Sequence, residues 1–147
     1  MERRRVVLIC YKLTENDNSQ APTQVYPGDA GWDLYTNERV MIPPHSFRDI
    51  HTGVSVELPL GVWGLIIGRS STIRKYGLRV EPAVIDNGYR GELLVGVWNH
   101  TNEEIFIDAG TRLAQFIPIH TISLQWQLVD ELSHSDRGIN SFGSSGV

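Results

Sequence analysis

Apolar and polar positions alternate along this chain in short runs, and turn residues separate the runs. Val54-Ser55-Val56-Glu57-Leu58 alternates as a strand with one wet face. Glu92–Trp98 sorts Leu93, Val95 and Val97 to one face and Leu94, Gly96 and Trp98 to the other. Val62–Ile67 is more continuously apolar, which predicts a strand buried on both faces. Val6–Tyr11, Val40–Ile42, Glu104–Ile107, Arg112–Ile119 and Ile122–Val129 complete the predicted strands. Helix has little room, because seven prolines interrupt the chain. The best candidate is Ser71–Tyr76, stopped by Gly77. Short strands at this spacing predict an all-β sandwich or barrel.

At 147 residues the chain is one domain's length. From Ser133 it becomes small, polar and glycine-rich. The expected division is a β domain over 1–132 and a flexible arm over 133–147. Net charge is −4 and the only basic run is Arg3-Arg4-Arg5, so no nucleic-acid partner is expected. No apolar stretch reaches the roughly 20 residues of a membrane-spanning helix, so no membrane partner is expected either. Polar residues follow the apolar start at Lys12, where a signal peptide would place small ones, and secretion is disfavoured. A lone cysteine, Cys10, fits a reducing compartment: the cytoplasm, of the source cell or of a host.

Several chemistries find no motif. Phosphate-binding P-loop, dinucleotide, zinc-protease and nucleophile-elbow patterns are absent, and the five histidines are scattered without ligand spacing. What remains is a set of short segments joining Gly, hydroxyl, Arg and carboxylate groups. Gly68-Arg69-Ser70-Ser71-Thr72 opens the possible helix, and its hydroxyls and guanidinium suit an anion. Alone, it reads better as a Ser-capped short helix with a solvent-exposed Arg. Val84-Ile85-Asp86-Asn87-Gly88-Tyr89-Arg90-Gly91-Glu92 carries a hairpin signal at Asn87-Gly88, with Asp86 at its mouth and Tyr89 leaving it. The carboxylate is either a base or a turn residue bonding its own backbone. Ala30-Gly31-Trp32-Asp33-Leu34 sets another carboxylate among apolar neighbours, and Gly110-Thr111-Arg112-Leu113-Ala114-Gln115 puts Arg and Gln on one strand.

Taken in order, these segments resemble the five motifs of the homotrimeric dUTPases, the dUTP nucleotidohydrolases. The fifth is matched by Arg137-Gly138 through Phe142-Gly143-Ser144-Ser145-Gly146, so the resemblance runs from about Ala30 to Gly146. Ala83, Gly88, Ser71, Ser141 and Ser145 depart from residues common in that family.

The resemblance implies a jelly roll that trimerises and hydrolyses dUTP to dUMP and pyrophosphate, lowering dUTP and supplying dUMP for thymidylate synthesis. It implies Asp86 as the base that activates water toward the α-phosphorus, with Mg²⁺ on the triphosphate and Asp33 reaching the metal through water. Arg69, Ser70, Gln115, Arg137, Ser144 and Ser145 would hold phosphate oxygens, and Ser71 and Gly143 would also bind the substrate. The hairpin from Ala83 and Val84 to Tyr89 would read uracil, Tyr89 would exclude a 2′-hydroxyl, and Phe142 on the arm would close over the base. The active sites would be shared between subunits. Two other readings stand against this one. A dCTP deaminase of the same superfamily would need a Glu where Gly96 stands. A non-catalytic trimeric nucleotide- or protein-binding module would have lost Asp86 or the tail.

Overall fold

The computed structural model describes residues 7–140. Ten strands and one short helix make up its regular structure: β1 Cys10–Leu13, β2 Trp32–Tyr35, β3 Val40–Ile42, β4 Ser46–Glu57, β5 Val62–Gly68, α1 Ser70–Tyr76, β6 Leu78–Val80, β7 Ala83–Ile85, β8 Glu92–Asn99, β9 Ile105–Ile107 and β10 Arg112–His120. One four-stranded sheet has the order β1-β4-β8-β6 and the other β2-β10-β5-β7, while β3 and β9 form a small third ladder. All the ladders are antiparallel. The fold is an all-β jelly roll, as expected.

The alternation in β8 builds the core. Leu93, Val95 and Val97 are buried and join Ile50, Val54 and Val56 of β4 with Leu34, Ile66 and Phe116 of the other sheet in one apolar cluster. Helix α1 ends as predicted: Gly77 takes φ 68° and its N–H bonds the carbonyl of Ile73 at 2.9 Å. Its start differs, because Arg69 occupies the N-cap and no side chain caps the helix.

Four expectations need correction. Strand β1 begins at Cys10, with Val7 and Leu8 exposed before it. Its partner β4 ends at Glu57, opposite Cys10, so residues 7–9 have no ladder to join, and Val6 lies outside the described residues. Strand β5 buries only Val62, Gly64 and Ile66, leaving Trp63, Leu65 and Ile67 half-covered within the chain. Asn87-Gly88 does not close a two-stranded ladder, because β7 pairs with β5 and β8 pairs with β4 and β6. The turn carries the chain between sheets, with Tyr89 N–H on the Asp86 carbonyl at 3.0 Å and no positive φ at Gly88. Segment 122–129 forms no strand. Ile122, Leu124, Trp126 and Leu128 all project into solvent, Trp126 completely. Alternation specifies one apolar face, but a strand also needs an edge to pair with.

Candidate active site

Two concave sites collect most of the residues singled out from the sequence. The first, about 320 Å³, is lined by Ala83, Val84, Ile85, Asp86 and Tyr89, with Phe47, Asp49, Glu81, Pro82, Glu92, Leu94 and Gly96. Its floor comes from the β8 face opposite the core, where Leu94 and Gly96 point. A Cβ on Gly96 would lie 2.8 Å from the Phe47 ring, so that ring closes the wall only because the position is glycine. Asn87 fixes the turn beside it, donating to the carbonyls of Pro59 and Val62 at 2.8 Å each. That anchorage leaves Asp86 exposed at the pocket mouth. Tyr89 lies back over Gly91, and its hydroxyl donates to the Glu92 carbonyl at 2.9 Å.

The second site, also about 320 Å³, is lined by Thr23, Val25, Asp29, Ala30, Gly31, Asp33, Arg69, Ser70 and Gln115. Asp33, Gln115 and Ile67 are consecutive partners across β2, β10 and β5, so their side chains share the outer face of that sheet. Gly31 lets the Gln115 side chain lie close, since a Cβ there would collide with its amide. Asp33 is only 8% exposed. Its Oδ1 pairs with Arg69 Nε at 2.7 Å and its Oδ2 with Arg112 Nη1 at 3.4 Å. Burial of that carboxylate is tolerable because both oxygens meet guanidiniums. The pairing also aims Arg69 into the pocket, a rigid fork suited to phosphate oxygens.

The two sites share no lining residue. Ser71 is exposed beside the second, accepting a hydrogen bond from Arg69 Nη1 at 3.3 Å. Arg137 is exposed and lines neither, its Nε donating to the Asn140 carbonyl at 3.4 Å. Phe142, Gly143, Ser144 and Ser145 lie outside the described residues. Arg112, Phe47, Asp49 and Glu92 were not singled out from the sequence. Arg112 and Glu92 stood within noted segments without being assigned a role; Phe47 and Asp49 reach the sites through strand pairing.

Among the described residues no three His, Cys, Asp or Glu side chains gather as a cation cage. Asp33, tied on both oxygens, has little freedom to bind a metal directly. This donor set fits only a hard cation that keeps its hydration shell, such as Mg²⁺.

The dUTPase family model matches residues 17–146. The deoxyuridine 5′-triphosphate nucleotidohydrolase of Clostridium novyi is 38% identical over 139 residues, covering 92% of this chain and 98% of that protein. That of Paramecium bursaria Chlorella virus 1 is 36% identical, covering 95% and 98%. Among solved structures, the dUTPase of Staphylococcus bacteriophage 80alpha with dUpNHpp superimposes with a TM-score of 0.89 at 30% identity, covering 97% of this chain and all of that one. A point mutant of the phage phi11 dUTPase, which coordinates a structural Mg(II) ion, superimposes with a TM-score of 0.78 at 26% identity. With the family model matched from residue 17 almost to the C-terminus, and residues of the first four motifs lining two clefts of the same jelly roll, this chain belongs to the dUTPase family and is an enzyme acting on dUTP.

Proposed function

We propose that the pocket around Asp86 receives the deoxyuridine and that the Arg69 pocket receives the triphosphate. One observation carries this reading: Ala83, Val84, Asp86 and Tyr89 line one cavity of about 320 Å³. That volume is of the size that takes a small molecule. Backbone groups of 83–89 read the uracil edge, and the Tyr89 ring packs against the deoxyribose where a ribose would carry its 2′-hydroxyl. Asp86 takes a proton from the water that attacks the α-phosphorus. The P–O bond to the bridging oxygen breaks, and dUMP and pyrophosphate leave. Arg69, Ser70 and Gln115 orient the phosphate oxygens, and Asp33 holds Arg69 in register. Mg²⁺, when bound, offsets the charge of the triphosphate. Arg137, Phe142, Gly143, Ser144 and Ser145 close the site from the arm.

We further propose that the enzyme is a homotrimer with its sites at subunit boundaries. The Arg69 pocket shares its sheet face with Trp63, Leu65, Ile67, Ile117 and Ile119, which the chain itself only half-covers. An apolar face of this extent favours association. The alternating segment 122–128 supplies a strand that a neighbour's sheet edge could pair. An arm this polar has little reason to pack on its own subunit, and it arrives from another.

Pyrophosphate release measured across dUTP, dTTP, dCTP and UTP, with and without Mg²⁺, tests the reading. Strong preference for dUTP is expected, with no ammonia formed from dCTP, because the Gly96 position carries no carboxylate. Comparable kcat/KM for UTP would refute the role of Tyr89, as would unchanged sugar discrimination in Tyr89→Ala.

Deleting the chain from Ser135 onward is expected to leave a folded assembly with little activity. Residues 135–140 are all exposed and contribute nothing to the apolar cluster. A fall in melting temperature like that of a core deletion would assign the arm a structural role instead.

A further inference from the structure

Strand β4 carries a bulge opposite the start of β8. The pairing passes from His51↔Leu94 to Ser55↔Glu92, so Thr52, Gly53 and Val54 are out of register. Gly53 holds a φ of 71° there. Backbone N–H groups released by such a bulge need acceptors. Thr52 Oγ1 accepts from Val54 N–H at 3.2 Å, and Glu92 Oε1 accepts from Gly53 N–H at 2.7 Å. The other carboxylate oxygen, Glu92 Oε2, lies 2.9 Å from His51 Nδ1. The Glu92 carboxylate is therefore clamped at both oxygens. The same residue lines the pocket that holds Asp86, and its backbone carbonyl is the acceptor for the Tyr89 hydroxyl.

We propose that Glu92, clamped by His51 and the β4 bulge, is a positioning residue that sets where the Tyr89 ring stands in the nucleoside pocket. The inference rests on the reading of Tyr89 as the group that reads the sugar. It requires three links: bulge to carboxylate, carboxylate to the first residue of β8, and that residue's carbonyl to the phenol. The first and last are hydrogen bonds under 3 Å, and the middle one is the covalent side chain of Glu92 itself. Loosening any one lets the ring drift from the wall.

His51 makes the clamp sensitive to pH. Its pKa is raised above 6.5, chiefly by the hydrogen bond to Glu92, which outweighs the opposing desolvation and is helped by the negative charges of Glu92, Glu38 and Asp49. Those carboxylates are the charged groups that face it, from β8, from the β2–β3 connection and from its own strand. A raised histidine pKa means the charge-assisted pair is complete at low pH and weakens as pH rises through that pKa. The neutral ring can still donate from Nδ1, so the clamp slackens without opening.

The test compares kcat/KM for dUTP with kcat/KM for UTP in wild type, Glu92→Ala, Glu92→Gln and His51→Gln at about pH 6 and about pH 8.5, either side of histidine titration. The ratio cancels the ionisation of Asp86 and of the phosphates, and any general loss of folded enzyme. Glu92→Ala is expected to lower the ratio about fivefold at both pH values, the share of one hydrogen bond. Glu92→Gln keeps an acceptor for Gly53 and folds as wild type, with a ratio that no longer varies with pH. In wild type the ratio falls between the two pH values; in His51→Gln it is flat.

The ring is also read directly, from the Tyr89 signal in protein labelled with carbon-13 tyrosine, assigned by Tyr89→Phe. It should follow the His51 titration in wild type and not in His51→Gln. Wild-type ratios in Glu92→Ala and a Tyr89 signal blind to pH would overturn the proposal. If Tyr89→Ala itself left the ratio unchanged, the sugar-reading role would fall. The tyrosine signal would then decide the positioning role alone, sustaining it by moving and overturning it by standing still.

Discussion

Asp86→Asn is expected to cut kcat for dUTP by about 10²–10⁴-fold, the usual share of a general base, while dUTP still binds. The substitution keeps the size of the side chain and a hydrogen-bonding end but removes the proton acceptor. Structure is not at risk, because Asp86 is exposed and takes part in no ion pair among the described residues. The turn it opens is held by its backbone carbonyl, on Tyr89 N–H, and by the Asn87 amide. Both contacts survive the change. Single-turnover chemistry and equilibrium binding of a non-hydrolysable dUTP analogue separate the two quantities. A kcat within a few-fold of wild type would remove Asp86 from the role of base.

Mixing two inactive variants is expected to restore activity. Asp86→Asn spoils the nucleoside pocket and Arg69→Gln spoils the phosphate pocket. The two pockets share no residue, so each variant keeps one intact. Unfolded together in equal amounts and refolded, the chains would assort at random into the proposed trimers. Where a boundary takes Asp86 from one subunit and Arg69 from another, both are intact with a chance of one half times one half. Activity should return to about one quarter of wild type in a symmetric trimer. Were both residues drawn from the same subunit, every site would lack one part and mixing would restore nothing. Verified mixed trimers without rescue would overturn the shared-site model and leave the family assignment standing. Truncation at Ser135 mixed with Asp86→Asn asks the same question of the arm.

Much of this protein was legible from pattern alone. Alternation in Glu92–Trp98 told which side chains enter the core, because side-chain direction in a strand has a period of two whatever the strand pairs with. Gly77 marked the end of α1 because a left-handed cap favours glycine on local grounds. Five short segments in order resemble the motifs of one known family, and that resemblance, not any single segment, pointed to it. These are properties a residue carries with its near neighbours.

What the pattern left open depends on partners distant in the chain. Asp33 could be read as a carboxylate; that Arg69 and Arg112 hold both its oxygens follows from β2, β10 and β5 lying side by side. Glu92 looked like the polar first residue of a strand, and its clamp exists because β4 bulges across from it. Asn87-Gly88 carried a hairpin signal, yet the ladder was decided by which sheet each flanking strand joined. Ile122–Val129 has the alternation of a strand and stands unpaired, because pattern sets the faces of a strand and only an available edge sets its hydrogen bonds. Local chemistry determined which groups are present and where each element ends; the pairing of remote strands, with the entropy of closing the long loops between them, decided which of those groups meet.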